Sequence, residues 1–243
     1  MDLANKTILI TGGSSGIGLE LAKVLLEKGC IVLILGRDSN RLDEAEKLGL
    51  KALRCDVSKT KDVEDTVVYL QNHYPLIDGL INNAGVQYNY LFDEATHVLD
   101  RIKQEVEINL FGPLILTQLM IPLLATSSSP FIVNVTSALG ASSKLDGLVY
   151  SATKAGLRNF TRGLRYSLIN SSIQVYECIP PVTETSMTAG REGDKMPVKH
   201  WVKWMVSGLE KDQKLITLPK IRLFLWIAFR LPRLAFKMVS SKG

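Results

Sequence analysis

Short apolar runs alternate with amphipathic stretches along most of the chain. Thr7–Ile10, Ile31–Leu35, Lys51–Arg54, Ile77–Ile81, Phe131–Thr136 and Ile173–Ile179 read as strands. The run at Ile31–Leu35 is continuously apolar, as a strand covered on both faces should be. Between the runs lie helical patterns. Ile17, Leu21, Ala22, Val24 and Leu25 share one face of a helix over Gly18–Lys28, and Gly29 stops it. Asn40–Leu48 reads as a short charged helix, and Ser58 is placed to N-cap another that ends near Asn72. Thr96 to about Leu124 predicts one long helix, with Gly112-Pro113 as the point where it would break. Tyr150–Leu168 and Val198–Leu209 predict two more. Strand and helix alternate six times. That pattern specifies the α/β class, a doubly wound parallel sheet with helices on both faces. No repeat or linker divides residues 1–243, so one domain is expected.

Composition narrows the function. Apolar residues are 46% and charged residues 22%, enough for a large core and unlike a disordered scaffold. The net charge of +5 is unevenly placed: Lys211–Gly243 holds eight Lys/Arg and one acid, and the first 210 residues sum to −2. A nucleic-acid partner is therefore not expected. Cys30, Cys55 and Cys178 form no Cys-x-x-Cys pair, and an odd count suits free thiols in a reducing compartment. With only His73, His97 and His200 beside them, no metal site is expected. The opening MDLANKTILITGG has no basic region and no small-residue cleavage site, which predicts a cytoplasmic protein.

The first candidate chemistry is TGGSSGIG at Thr11–Gly18, between the first strand and the first helix. Glycines there let the backbone turn tightly and approach a pyrophosphate, and the helix N-terminus offers free N–H groups. Four glycines and two serines exceed what a plain turn needs. Gly12, Ser14, Ser15, Gly16, Ile17 and Gly18 are the expected contacts of a Rossmann-type dinucleotide site. The second strand ends Gly36-Arg37-Asp38, with no carboxylate at the strand end. An acid there would take the ribose 2′-OH of NAD(H), whereas the planar fork of Arg37 suits the 2′-phosphate of NADP(H). NADP(H) is thus the expected cofactor. The alternative, NAD(H), would put Asp38 on the ribose.

Tyr150 and Lys154 are four apart on a predicted helix and share a face. A free tyrosine, with pKa about 10, is a poor base at neutral pH. A nearby ammonium favours the phenolate, so the pair makes a workable acid and base. Ser137 follows the fifth strand at the edge where ligands of parallel sheets sit.

Taken in order, the glycine loop, Asn82-Asn83-Ala84-Gly85, Asn109, Ser137 and Tyr150-Ser151-Ala152-Thr153-Lys154 resemble the classical short-chain dehydrogenase/reductase family, as far as about Thr185. The resemblance implies an oxidoreductase that moves a hydride between a nicotinamide and a carbonyl or alcohol substrate. It implies Tyr150 as the acid/base, Lys154 on the nicotinamide ribose, Ser137 on the substrate and Asn109 holding a relay water. It also implies cofactor contacts at Asp56, Val57, Asn83, Ala84 and Gly85. A homodimer or homotetramer is implied, paired through the helices with Asn109 and Tyr150. A non-catalytic NADP(H) sensor or membrane scaffold is the alternative, but it would not need the complete Asn109–Ser137–Tyr150–Lys154 set.

The match departs after the sixth strand. Most family members have Pro-Gly there and this chain has Pro180-Pro181, so the loop must be built differently. Pro180 and Thr183 are the candidate cofactor contacts. The variant resembles a subgroup of short-chain oxidoreductases encoded with bacterial teichoic-acid D-alanylation genes. Residues 185–209 read as a substrate lid and helix, with Gly190 and Gly193 giving the lid flexibility. Trp201 and Trp204 are expected to pack on the core, or one of them to line the pocket. Residues 219–240 form a basic amphipathic tail in which Arg222, Arg230, Arg233 and Lys237 fall within about 80° if it is one helix, and Pro232 would kink it. Three surfaces stand open for it: another subunit, an anionic membrane, and the chain's own core.

Overall fold

The computed structural model describes residues 1–93, 98–190 and 192–240. Seven strands form one all-parallel sheet in the order β3-β2-β1-β4-β5-β6-β7. They are β1 (Thr7–Thr11), β2 (Ile31–Gly36), β3 (Lys51–Arg54), β4 (Gly79–Asn82), β5 (Phe131–Val135), β6 (Gln174–Ile179) and β7 (Leu215–Thr217). Period-two alternation sorts their side chains. Ile8, Ile10, Ile34 and Val133 join one core with α1 (Gly16–Glu27) and α7 (Val198–Glu210), through Leu21, Leu25, Trp201 and Met205. Leu9, Leu33, Leu80 and Ile132 join the opposite core, with α3 (Thr60–His73), α5 (Gly112–Leu124) and α6 (Leu148–Ser167). Burial of each such side chain contributes about 1.5–3 kcal/mol. The single Rossmann-like domain is as the alternation predicts.

Strand order reverses at β1, which pairs β2 on one side and β4 on the other. The carboxyl ends of β1 and β4 therefore diverge into a crevice, the expected ligand position in such sheets. Below it, Asn82 and Asn134 stand in register on β4 and β5. Asn82 Nδ2 donates to Asn134 Oδ1 at 2.8 Å and to Thr117 Oγ1 at 3.0 Å, and Asn134 Nδ2 donates to Thr161 Oγ1 at 2.9 Å. This buried ladder ties both strands to α5 and α6.

Several expectations change. The N-cap position of α3 is Lys59, whose side chain makes no capping bond, not Ser58; the Ser58 hydroxyl donates instead to Asp56 Oδ1 at 2.7 Å. The long helix does not break at Gly112-Pro113. It runs as α4 (Leu99–Val106), a π-helical turn over Glu107–Phe111 and then α5. Its expected start at Thr96 lies outside the described residues, as does His97. β7 was not anticipated; three residues are too short to show a period. The tail is two helices, α8 (Pro219–Arg230) and α9 (Pro232–Ser240), separated at Leu231. Trp201 is fully buried in the core and Trp204 is 44% exposed, and neither reaches the crevice. A short helix, α2 (Ser39–Lys47), completes the set.

Candidate active site

The crevice is a cavity of about 590 Å³, a size suited to a sizeable organic ligand. The glycine loop forms one wall. Gly12 and Gly16 sit at φ +64° and +53°, which only glycine adopts without strain. Gly12, Ser14, Ser15, Gly16 and Ile17 face the cavity. Ser15 is the N-cap of α1 but its side chain makes no capping bond, so the first N–H groups of α1 keep their capacity for an incoming anion. Gly18 does not line the cavity. A Cβ there would stand 2.3 Å from the Gly12 carbonyl oxygen and 2.5 Å from Asn83 Nδ2, so Gly18 serves close packing of α1 on its own loop.

Asn83, Ala84 and Gly85 form the opposite wall. The Asn83 side chain, however, is used on the glycine loop, donating to the Thr11 and Gly12 carbonyl oxygens at 3.0 and 3.2 Å. Thr11 Oγ1 in return accepts from the Asn83 and Ala84 N–H groups. The two signature segments thus hold each other, and the backbone of Ala84 and Gly85 is what meets a ligand.

At the far end stand Arg37, Asp38, Arg41, Asp56 and Val57. Asp38 caps α2, accepting from the Arg41 N–H at 3.1 Å, and lies 3.5 Å from Arg41 Nε. Arg37 is exposed at the rim. Asp56 accepts from the N–H and hydroxyl of Ser58 through Oδ1, which shapes the turn after β3 while leaving the residue on the wall.

The near end holds Thr136, Tyr150, Lys154 and Pro180. Tyr150 and Lys154 are nearly buried on the first turns of α6. Lys154 Nζ lies 5.8 Å from the centre of the Tyr150 ring and donates to the Val135 carbonyl at 2.9 Å. Burial lowers the Lys154 pKa to about 8. Ser137 follows β5 and accepts from the Leu139 N–H, opening a 3₁₀ turn over Ala138–Gly140. That turn lies on the Lys154 backbone: a Cβ on Gly140 would be 2.8 Å from the Lys154 carbonyl oxygen. Asn109 stands behind the wall, fully buried in the π-helical turn. Its amide clasps Val86, accepting from the N–H and donating to the carbonyl at 2.8 Å each. A Cβ on Gly85 would stand 3.2 Å from Asn109 Oδ1 and 3.6 Å from Lys154 Nζ, so both side chains converge on that bare α-carbon.

Thr183 is a correction. It is buried, and its hydroxyl donates to the Pro181 carbonyl at 2.9 Å, because Val182 and Glu184 pair with Met196 and turn it inward. Thr185, Ser186 and Met187 line the cavity in its place, and Thr185 Cγ2 comes within 3.2 Å of a Cβ on Gly16. A second threonine two residues on was the available signal. The first turn of the expected lid is pinned by Thr188, which is buried and hydrogen-bonded to the Thr183 and Thr185 carbonyls; Arg191 in the same segment lies outside the described residues. Gln87 and Tyr88 also line the near end, and sequence reasoning did not find them. Glu105, fully buried one turn before Asn109, accepts from the Tyr88 N–H at 3.0 Å and so fixes their loop.

Comparison with known proteins gives the family. A family model described as short chain dehydrogenase matches residues 6–195. An uncharacterized oxidoreductase, DltE of Bacillus subtilis strain 168, is 36% identical over 226 residues, covering 89% of each chain. A short-chain dehydrogenase from Sphingobium yanoikuyae, solved in complex with NADPH, superposes with a TM-score of 0.83 at 26% identity, over 96% of this chain and 95% of its own. A short-chain dehydrogenase/reductase from Burkholderia phymatum, solved with NAD, gives 0.86 at 17% identity over 100% and 98%.

Proposed function

This chain belongs to the short-chain dehydrogenase family, and from that premise we propose that it interconverts a carbonyl compound and an alcohol with NADP(H), Tyr150 acting as acid and base. The observation that carries the proposal is that Tyr150 and Lys154 line the cavity the glycine loop opens, with Asn109 behind the Gly85 wall that faces Lys154. The cavity fits a dinucleotide: open helix N–H groups and bare glycines stand mid-cavity, and an arginine stands at the far rim.

When bound, the nicotinamide supplies or accepts the hydride at the substrate carbon. The protein handles the proton. In the reducing direction the Tyr150 O–H bond breaks and its proton passes to the carbonyl oxygen, which becomes the alcohol. The phenolate left behind is stabilised by the Lys154 ammonium. Ser137 holds the substrate oxygen at the carboxyl end of β5. Asn109 fixes the Val86 backbone, and with it the wall that faces Lys154. In the oxidising direction the same proton returns to Tyr150.

NADP(H) is favoured over NAD(H) by the far rim. Asp38 is committed to capping α2, and Arg37 stands exposed at the cavity rim with a guanidinium suited to a phosphate. The Sphingobium relative binds NADPH and the Burkholderia one binds NAD, so the rim residues carry the choice here. The complete catalytic set gives no support to a non-catalytic sensor. A homodimer or homotetramer through α4, α5 and α6 is part of the proposal, supported by exposed Leu99, Phe111 and Leu148. So is a cytoplasmic location, supported by three buried free thiols.

The test is NADPH and NADH oxidation against a panel of aldehydes and ketones, with Tyr150→Phe alongside. Turnover with NADPH that falls at least about a hundredfold in the variant is expected. Equal turnover in both proteins would refute the assignment of Tyr150.

A further inference from the structure

The tail leaves the core reading behind. Ile221, Ala228 and Ala235 are its buried residues, while Leu223, Trp226, Phe229, Leu234, Phe236 and Met238 are exposed. Phe229 is 82% and Trp226 56% accessible, values unusual for aromatic side chains without a covering surface. Lys220, Arg222, Arg230, Arg233 and Lys237 lie among them, with no acid between Pro219 and Ser240. These five cations alone equal the net charge of the whole chain.

We propose that α8 and α9 dock this protein on an anionic lipid bilayer, lying in the interface rather than crossing it. Three observations select that occupant. First, the exposed arc of α8 interleaves aromatic and basic groups: at 100° per residue, Phe229, Arg222, Trp226, Arg230 and Leu223 fall within about 120°. Rings at headgroup depth with guanidinium groups reaching phosphates suit a bilayer surface. Second, charge opposes a symmetric pairing of two copies through this face. A two-fold contact would bring ten cations together with no acid from either tail. Third, α8 has 12 residues and α9 nine, with the break at Leu231, far short of the roughly 20 that a span requires. The split at Pro232 that removes the single-helix stripe also gives the tail two short helices around a corner.

Docking has a consequence for the site. The inner side of α8 packs Ile221 and Leu225 with Ala138 and Met196, which adjoin Ser137 and the base of the 184–195 loop. The lipid-facing helix is thus one layer from the near end of the cavity.

The experiment is sedimentation of the full chain with sucrose-loaded vesicles, either phosphatidylcholine alone or phosphatidylcholine with 30% phosphatidylglycerol. Roughly 1 kcal/mol per cation near an anionic surface is about fivefold in partition. Binding to the anionic vesicles should exceed binding to the neutral ones at least tenfold and fall with added salt. Lys220→Gln with Arg230→Gln and Arg233→Gln should lower it about a hundredfold, and Trp226→Ser with Phe229→Ser should also abolish sedimentation. These side chains are exposed, and a circular dichroism melt within about 2 °C of wild type checks the fold. In Trp204→Phe protein, buried Trp201 emits from an environment that vesicles do not reach, so a blue shift on adding them reports Trp226 entering the interface. Two results overturn the proposal. One is no binding, or equal binding to neutral and anionic vesicles. The other is a stable assembly, in sedimentation velocity, that Phe229→Ser dissociates, which would make a second copy the occupant.

Discussion

Replacing Arg37 by Gln isolates the reason for expecting NADP(H). Arg37 stands exposed at the cavity rim, next to Asp38, whose carboxylate is occupied with the Arg41 N–H and side chain. A hydrogen bond from a charged donor to a phosphate contributes about 1.5–3 kcal/mol. Exposure to solvent puts this one toward the lower end, about 1.5–2 kcal/mol, or roughly tenfold to thirtyfold in affinity. NAD has no 2′-phosphate, so its affinity should stay within about twofold. Isothermal titration of NADP+ and NAD+ into wild type and Arg37→Gln reads the four constants directly and needs no substrate. Asp38→Asn is the matching control, because Asn caps a helix as well as Asp does. It should leave NAD+ binding unchanged and strengthen NADP+ binding slightly by removing a like charge. The reasoning fails if Arg37→Gln weakens both dinucleotides equally. It fails as well if Asp38→Asn costs NAD+ tenfold, since that would place Asp38 on the ribose.

Three further outcomes follow from the same geometry. Gly18→Ala must move either the Gly12 carbonyl or α1, because the new methyl would stand 2.3 Å from that oxygen. Overpacking of this kind costs about 1–3 kcal/mol, so Tm should fall by roughly 2–12 °C, and NADP+ binding should weaken although Gly18 does not line the cavity; unchanged melting would refute the packing role. Burial lowers the Lys154 pKa to about 8, so the ammonium that stabilises the Tyr150 phenolate is lost in that region; carbonyl reduction measured as kcat/KM should decline above about pH 8, and a flat profile to pH 10 would exclude Lys154 from the step. Burial raises the Glu105 carboxyl pKa from its ordinary 4.5, meaning that the fold penalises the ionised form. That cost is absent below the ordinary range and complete once pH passes the folded value, so Glu105→Gln, which keeps an acceptor for the Tyr88 N–H, should be more stable than wild type at pH 8. The difference should close as pH falls below about 4.5, and a gap independent of pH would count against it.

What the sequence disclosed is what short-range patterns encode. β1 to β6 carry unbroken or alternating apolar runs, and each forms within three residues of its expected bounds. The glycine loop and the Tyr150–Lys154 pair are likewise local, one a turn and the other an i, i+4 spacing. Three features were hidden because they depend on contacts far along the chain. β7 exists by pairing with β6, with Glu177 opposite Leu215, and its three residues show nothing alone. Thr185 replaces Thr183 at the cavity because Met196, 13 residues after Thr183, pairs with that segment and decides which side chain turns out. The tail exposes its rings because only its inner residues, Ile221 and Leu225, reach the core, where they meet Ile179, Ala138 and Met196 from distant parts of the chain.

The π-helical turn at Asn109 shows how a local signal can be seen and still misjudged. Gly112-Pro113 marks a helix break by ordinary rules, since Pro113 has no N–H for the Asn109 carbonyl. The chain meets that loss by changing register instead of direction. The Gly112 N–H reaches back five residues to the Glu107 carbonyl, and α5 continues. The turn and the helix after it are held by packing: Ile108 is buried within the turn, and Leu116 and Met120 after it, in the same core. Breaking the helix would expose that core, whereas one wide turn costs little more than a strained bond. Gly112 is also required where it stands, because a Cβ would lie 2.5 Å from the Val57 carbonyl oxygen. The extra residue rotates the helix so that Asn109 clasps Val86 and reaches Thr153, whose hydroxyl donates to the Tyr150 carbonyl at 2.7 Å. Pro113, four residues away and outside the cavity, thus sets the angle at which Asn109 meets the wall facing Lys154. Its replacement by Ala would restore the missing N–H and favour a regular helix, turning Asn109 away from Val86. Activity should then fall with little change in Tm, whereas a break at Gly112-Pro113 unrelated to the site would give the reverse.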